Sequence, residues 1–151
     1  MPEQENTNGK YWSYPFRKGL EIYNQDKLLL DEEACRQMGA FGLVLVEGFF
    51  DVAKLVEAGC RNVGALMGNH ISAEQIERLA WIRSRISFPR IVLFLDRDEA
   101  GRRGTGHAFD RLRQNNFEVC LFDWERMPAT VKDPADMTVQ QLQQLRTQGC
   151  F

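Results

Sequence analysis

The chain has 151 residues, a length that suits one compact domain. Hydrophobic residues make up 44% and charged residues 26%, as in ordinary globular proteins, and the net charge of -2 argues against a protein that holds long duplex DNA through phosphate contacts alone. The N-terminus is polar and no apolar run approaches the length of a membrane helix, so we expect no signal peptide, no membrane contact and a cytoplasmic location.

Downstream of residues 1–10, which we predict to be a disordered tail, apolar runs alternate with helix-like stretches. Short continuous apolar runs are typical of buried strands, and they cover residues 43–46, 62–67, 91–95 and 119–122. The predicted helices cover residues 31–38, 49–58, 99–115 and 138–146, with a further helix between Ser72 and Pro89. We expect residues 11–40 to form an extension that packs on a core domain of residues 41–151.

The helix that follows Ser72 has the clearest start signal in the sequence. Ser72 and Gln75 have the spacing of a capping box, in which each side chain accepts a hydrogen bond from the backbone of the other residue. Ile71 and Ile76 are placed to form the hydrophobic staple that accompanies such a box. The sequence therefore predicts a helix that begins at residue 73.

Strands that alternate with helices predict an α/β domain with a mainly parallel sheet of about four strands, covered by helices on both faces. In such sheets, ligands bind beyond the carboxyl ends of the strands. The residues that directly follow each predicted strand are therefore the first candidates for a functional site.

Acidic residues occupy several of these positions. Glu47 follows the first strand, Asp96 and Asp98 follow the third, and Asp133 and Asp136 lie in the segment after the fourth. Several carboxylates at one edge repel each other unless a cation neutralises them. Hard oxygen ligands without a cysteine or histidine cluster favour Mg²⁺ or Mn²⁺, and the four scattered cysteines contain no CxxC pair that would indicate a zinc ribbon.

Each acid also has a purely structural interpretation. Asp98 is placed to cap the following helix, Glu47 lies near another helix start, and Asp133 precedes a proline and can begin a turn. Arg102 and Arg103 fit solvated surface charges as well as phosphate contacts. The occurrence of Glu47, Asp96 and Asp98 just after apolar strands is what favours a shared site.

Three segments together resemble the Toprim family, and within it the bacterial-type primases. Residues 46–52 resemble the Glu-Gly motif with its following aspartate, residues 93–101 resemble the Asp-x-Asp motif with its Ala-Gly extension, and residues 132–134 resemble the third primase motif. Residues 64–68 and 71–75 are similar to the intervening primase segment. The resemblance covers residues 43–136 and implies a single Toprim (Rossmann-like) domain.

The resemblance also implies roles for individual residues. Glu47 would be the catalytic acid or base, Asp96 and Asp98 would hold Mg²⁺ with Asp133, and Asp51 would support them. Gly48 is expected to let the chain turn after Glu47, and Asp136 is expected to support the site. The cations Lys132, Arg102 and Arg103 are expected to contact nucleic acid or nucleotide.

Two positions depart from the pattern of the family. Arg97 stands between the two aspartates, where a small residue is frequent, and Ala135 stands where primases often have a second acid. Asp136 is the nearest substitute for that acid. The sequence also contains no segment that resembles the zinc-binding or helicase-interaction parts of a primase.

The expected activity is Mg²⁺-dependent nucleotidyl transfer in primer synthesis, on a single-stranded DNA template with nucleotides, as part of an assembly with a helicase or other replication proteins. Strand cleavage by the same site is an alternative. A second alternative is a module that binds nucleic acid or nucleotide without turnover. A third alternative is a haloacid-dehalogenase-type phosphatase, whose first motif is also Asp-x-Asp. That alternative leaves the Glu-Gly motif unexplained.

Overall fold

The computed structural model describes residues 17–151, and its centre is a sheet of four parallel strands. The strands are β1 (Leu43–Val46), β2 (Val63–Ala65), β3 (Ile91–Leu93) and β4 (Val119–Leu121). Their order across the sheet is β2-β1-β3-β4, so β1 and β3 are the inner strands. All four apolar runs predicted as strands are strands, and the expected parallel α/β architecture is confirmed.

Six α-helices and two 3₁₀ helices surround the sheet within residues 17–151. The α-helices are α1 (Gln25–Leu30), α2 (Glu32–Phe41), α3 (Phe49–Glu57), α4 (Ala73–Arg85), α5 (Glu99–Gln114) and α6 (Val139–Thr147). The 3₁₀ helices are Trp124–Arg126 and Pro134–Asp136. The predicted capping box is present at α4, where the Ser72 hydroxyl accepts from the Gln75 amide over 3.0 Å and the Gln75 side chain accepts from the Ser72 amide over 3.1 Å.

Alternate residues of the inner strands face opposite layers of helices, as the two-residue period of a strand requires. Leu43 and Leu45 of β1 belong to a core shared with α1, α2, α4 and α5. Val44 and Val46 belong to a second core, which α3, α6 and the segment between β4 and α6 complete. The strands β1, β2 and β3 are therefore buried on both faces, which explains their largely apolar sequences, whereas the outer strand β4 is only partly buried.

Residues 17–41 pack against the outer strand β2. Tyr23 forms an isolated antiparallel bridge with Ala65, and Leu28 of α1 is fully buried. A Cβ at Gly64 would lie 2.6 Å from Cγ2 of Ile22, so only glycine permits this close approach. Helix α1 was not predicted, because it is a single short segment that begins after Asn24 in a left-handed conformation (φ 71°) without a side-chain cap.

The predicted tail of residues 1–10 lies outside the described residues, and the boundary between residues 40 and 41 stays a prediction. None of the helices within residues 17–151 is both long and apolar enough to cross a membrane.

Candidate metal centre

The ends of β1 and β3 lie side by side, because these strands pair in the middle of the sheet. Glu47 directly follows β1, and Asp96 follows β3 after Phe94 and Leu95. The backbone amide of Asp96 donates a hydrogen bond to Oε1 of Glu47 over 3.2 Å. These two acids therefore meet at the carboxyl edge of the sheet, where they were expected.

Three carboxylates converge at this edge. Asp51, Asp96 and Asp133 each offer an oxygen, and these oxygens lie within 4.8 Å of one another. Oδ1 of Asp96 is buried and accepts no hydrogen bond from the described residues. A buried carboxylate oxygen without a donor, beside two further carboxylates, is a set of ligands that fits a hard divalent cation such as Mg²⁺ or Mn²⁺.

Asp51, predicted in a supporting role, is one of the three converging acids. It lies in the first turn of α3 and is only 6% exposed. Its Oδ2 accepts from the Gly48 amide and its Oδ1 from the Ala135 amide, each over 3.1 Å. The carboxylate thus joins the turn after β1 to the segment that carries Asp133. Gly48 contributes through its backbone, as the N-cap of α3.

Asp98 is not one of the three converging acids. Its Oδ1 accepts from the Gly101 amide over 2.7 Å, so the side chain caps α5. The structural interpretation of Asp98 is therefore correct, and a role in holding metal stays a prediction.

The segment from residue 132 to residue 136 folds into a tight turn. Oδ1 of Asp133 accepts from the Asp136 amide, and Oδ2 of Asp136 accepts from the Lys132 amide, each over 2.9 Å. Asp136 thus closes the turn that presents Asp133 and lies outside the group of three. Ala135, in place of a second acid, supplies the backbone amide that holds Asp51.

Burial makes the ionised state of these acids unfavourable. Burial raises the pKa of Asp96 to about 8, and the negative charges of Glu47, Asp51 and Asp133 act in the same direction. Burial likewise raises the pKa of Asp51 to about 6, with further contributions from Asp133 and Asp136. Burial is also the main reason that the pKa values of Glu47 and Asp133 are raised. A bound divalent cation would relieve this repulsion.

The start of α5 packs directly on the site. A Cβ at Gly101 would overlap the Asp96 carbonyl oxygen and would lie 3.0 Å from Oε1 of Glu47. A Cβ at Gly104, one turn later, would overlap the carbonyl oxygen of Asn69. Both glycines therefore serve close packing, and Gly101 is the glycine of the Ala-Gly extension.

The three predicted cations are exposed and differ in their contacts. Arg102 is exposed and lines a cavity of about 130 Å³ beside Asp96. Arg103 is exposed and forms an ion pair with Glu99 over 3.4 Å. Lys132 is exposed next to Asp133 and makes no ion pair with any residue in the range 17–151. Their contacts to nucleic acid stay a prediction.

Arg97 has a structural role that the sequence analysis missed. Its guanidinium Nη1 donates to the carbonyl oxygens of Met127 and Pro128, over 3.2 and 2.8 Å. Its backbone amide donates to the Lys132 carbonyl over 2.7 Å. The only signal in the sequence was a large cation in the middle of the Asp-x-Asp motif.

Comparisons with known proteins agree with the fold. A family profile described as the Toprim domain matches residues 42–121. The DNA primase of Pseudomonas aeruginosa is 32% identical over 110 residues, which make up 70% of this chain and 15% of that protein. The crystal structure of the Aquifex aeolicus primase (zinc binding and RNA polymerase domains) is similar with a TM-score of 0.68 and 24% identity, over 93% of this chain and 31% of that one.

A DnaG primase catalytic domain bound to ssDNA is also similar, with a TM-score of 0.66 and 20% identity, over 96% of this chain and 44% of that one. At identities of 24% and 20%, these two solved structures support the fold alone. The chain spans about 15% of the length of the Pseudomonas aeruginosa protein that it matches.

Proposed function

Because the chain belongs to the Toprim domain family, we propose that it is a Mg²⁺-dependent catalytic module for nucleotidyl transfer on nucleic acid, of the kind that synthesises primers. The observation that carries this proposal is the convergence of Asp51, Asp96 and Asp133 beside Glu47. The similarity to DNA primases supports the choice of reaction within the family.

Asp51, Asp96 and Asp133 would hold the cation, with Asp98 as a further acid close by. The buried oxygen of Asp96 that accepts no hydrogen bond supports its place as the principal ligand. When bound, Mg²⁺ would neutralise charge on the reacting phosphate and help to orient it. Proton transfer and the other contacts to the substrate would be made by side chains of the chain itself.

Glu47 is proposed as the acid or base of the reaction. It lies next to Asp96 through the 3.2 Å hydrogen bond and is half-buried. Burial raises its pKa, and the charges of Asp98 and Asp51 add to this effect. A carboxylate with a raised pKa is a better proton acceptor near neutral pH, so Glu47 is suited to take the proton from an attacking hydroxyl group.

Lys132, Arg102 and Arg103 are proposed to contact phosphates of the template or of the nucleotide. All three are exposed, and the chain as a whole carries a net charge of -2. A chain without net positive charge is poorly suited to hold a long nucleic acid by itself. We therefore propose that single-stranded DNA is held together with other parts of a replication assembly, with a helicase as one candidate partner.

A module that binds nucleic acid or nucleotide without turnover is the second candidate. Two observations favour it: Oδ1 of Asp98 is engaged in capping α5, and Ala135 stands where a second acid is frequent. Both reduce the number of carboxylates that are free to hold a second cation.

A primer-synthesis assay separates the two candidates. The chain is incubated with single-stranded DNA, the four ribonucleotides and Mg²⁺, alone and with a candidate helicase, and labelled products are resolved by length. We expect Glu47→Gln to lower the initial rate by about 100-fold or more while Mn²⁺ binding is retained. Asp110→Asn, which changes an exposed acid on α5, is the matched control.

Absence of product in all mixtures, together with nucleic-acid binding that is unchanged in Glu47→Gln, would support the binding module instead. Shortening of the DNA that depends on Glu47 would point to strand cleavage by the same site.

A further inference from the structure

We infer that Arg97 is a positioning residue, whose guanidinium holds the segment of residues 127–132 against the end of β3 and thereby places the carboxylate of Asp133 beside Asp96. This inference rests on the proposed function, because it assigns a consequence for metal binding to the same acidic edge.

The contacts of Arg97 join two parts of the chain that are distant in sequence. Nη1 donates to the carbonyl oxygens of Met127 and Pro128, over 3.2 and 2.8 Å. The backbone amide of Arg97 donates to the carbonyl of Lys132, the residue before Asp133, over 2.7 Å. Both ends of the segment are thus attached to the residue that follows Asp96.

Trp124 completes this arrangement from the other side. Its indole Nε1 donates to the Leu95 carbonyl over 3.1 Å, so the chain just before the segment is also bound to the residues that follow β3. The Arg97 guanidinium carbon lies 6.0 Å from the centre of the Trp124 ring, at the outer limit of a cation–π contact. The ring itself packs against Phe94 and Phe122. Arg97 therefore lies beside an aromatic cluster as well as the segment that it holds.

The segment has enough other anchors to fold without the Arg97 side chain. Met127 and Val131 are buried in the core beside α3 and α6. The Ala135 amide is bound to Asp51, and the Lys132 amide is bound to Asp136. Loss of the guanidinium should therefore loosen the segment rather than unfold the domain.

The charge and the hydrogen bonds of Arg97 have opposite consequences for a bound cation. A positive charge next to Asp96 repels a divalent cation, so its removal alone would strengthen metal binding. Loss of the donors that place Asp133 would weaken metal binding. Lys and Met are similar in length, but only Lys keeps both a donor and the charge. If charge dominates, Arg97→Met binds metal more tightly than Arg97→Lys, and if positioning dominates the order is reversed.

The experiment compares wild type, Arg97→Lys and Arg97→Met in the full chain by two measurements. Mn²⁺ binding is followed by electron paramagnetic resonance of the free ion, and amide hydrogen exchange is followed by mass spectrometry on peptides that cover residues 127–133. We expect Arg97→Met to bind Mn²⁺ about tenfold more weakly and Arg97→Lys to recover most of that loss, as for other residues that orient metal ligands. In the metal-free chain, we expect faster exchange in these peptides for Arg97→Met than for Arg97→Lys.

Three results would overturn the inference: Mn²⁺ affinity in Arg97→Met equal to or above that of Arg97→Lys, exchange in residues 127–133 that is the same in all three proteins, or faster exchange without any loss of affinity. Failure of the proposed function looks different: without a metal site the wild type itself would show no saturable Mn²⁺ binding, and with a metal site but no turnover it would bind Mn²⁺ and synthesise no primer. The exchange measurement in the metal-free chain would still decide whether Arg97 holds the segment.

Discussion

The backbone amide of Asp96 donates to Oε1 of Glu47 over 3.2 Å, and this bond joins the ends of the two inner strands. The bond brings the proposed proton acceptor next to the proposed principal metal ligand without an intervening side chain. The same residue also contacts the start of α5, where a side chain at Gly101 would overlap the Asp96 carbonyl oxygen.

Asp51 and Asp98 should differ in their importance for metal binding. Asp51 belongs to the three converging acids, whereas Oδ1 of Asp98 caps α5. We expect Asp51→Asn to weaken Mn²⁺ binding by about tenfold or more, and Asp98→Asn to weaken it less, because asparagine is also a good N-cap. Calorimetric titration of Mn²⁺ measures both, and thermal unfolding without metal checks that each variant is folded. A larger loss in Asp98→Asn would restore Asp98 as a primary ligand.

The stability of the metal-free chain should fall as pH rises. Burial raises the pKa of Asp96 to about 8 in the folded chain, far above its ordinary value of 3.8. Between these values the unfolded chain releases a proton that the folded chain retains, so the free energy of unfolding decreases as pH rises from about 4 to about 8. Asp51, with a pKa of about 6, adds to this trend over the lower part of the range.

Asp96→Asn should therefore stabilise the metal-free chain at pH 8, although it removes a metal ligand. We expect a gain on the order of 1 kcal/mol, since solvent screens a carboxylate that is only partly buried. Urea unfolding at pH 5 and pH 8, with and without Mn²⁺, measures the effect, and Asp110→Asn serves as the control. Equal stability of wild type and Asp96→Asn at pH 8 would show that the acids do not repel one another in the folded chain.

Two glycines of α5 should respond to alanine in opposite directions. A Cβ at Gly101 would overlap the Asp96 carbonyl oxygen, whereas a Cβ at Gly106 meets nothing within 4 Å. We expect Gly101→Ala to destabilise the fold by about 1–3 kcal/mol and Gly106→Ala to stabilise it by about 0.5–1 kcal/mol, because alanine favours an exposed helix position. Urea unfolding compares the two. A Gly101→Ala variant as stable as wild type would argue against close packing of α5 on the site.

The two glutamines that complete capping boxes should also differ. Gln75 is fully buried, and its amide nitrogen donates to the carbonyls of Glu21 and Leu66 over 3.1 and 2.9 Å. Gln141 accepts a hydrogen bond from Thr138 at an exposed helix start. Because Gln75→Ala leaves buried carbonyls without donors, we expect it to cost about 2 kcal/mol of unfolding free energy, against about 0.5 kcal/mol for Gln141→Ala. Equal losses would mean that the contacts of Gln75 with Glu21 and Leu66 contribute nothing to stability.

Much of the fold was predictable from the sequence because burial on both faces makes the strands β1, β2 and β3 largely apolar. The structure shortens three of the predicted runs, from residues 62–67 to Val63–Ala65, from residues 91–95 to Ile91–Leu93 and from residues 119–122 to Val119–Leu121. The capping box at Ser72 correctly predicted the first residue of α4, because a capping box is a local pattern in the sequence. Helix α1 had no such signal, because its formation depends on the burial of Leu28.

The site was predicted less completely than the fold. The position of Glu47 and Asp96 follows from the rule that parallel strands end at one edge, so both were found. The central place of Asp51 depends on the return of residues 133–135 to α3, which no local pattern indicates. The contacts of Arg97 depend on the same return. Family membership, once shown, also makes the phosphatase alternative wrong.

The purely parallel sheet has a consequence for how the chain folds. Leu43 pairs with Ile91 and Val44 with Val63, so strand pairing joins segments that are far apart in sequence. The chain loses conformational entropy on closing such long loops before the strand contacts can stabilise it. Sheets of this kind therefore form slowly compared with bundles of helices. The acids of the site lie in segments that these pairings bring together, so we expect the site to assemble only when the long-range pairing forms. Mutual repulsion among the acids would then oppose that step rather than the formation of single helices.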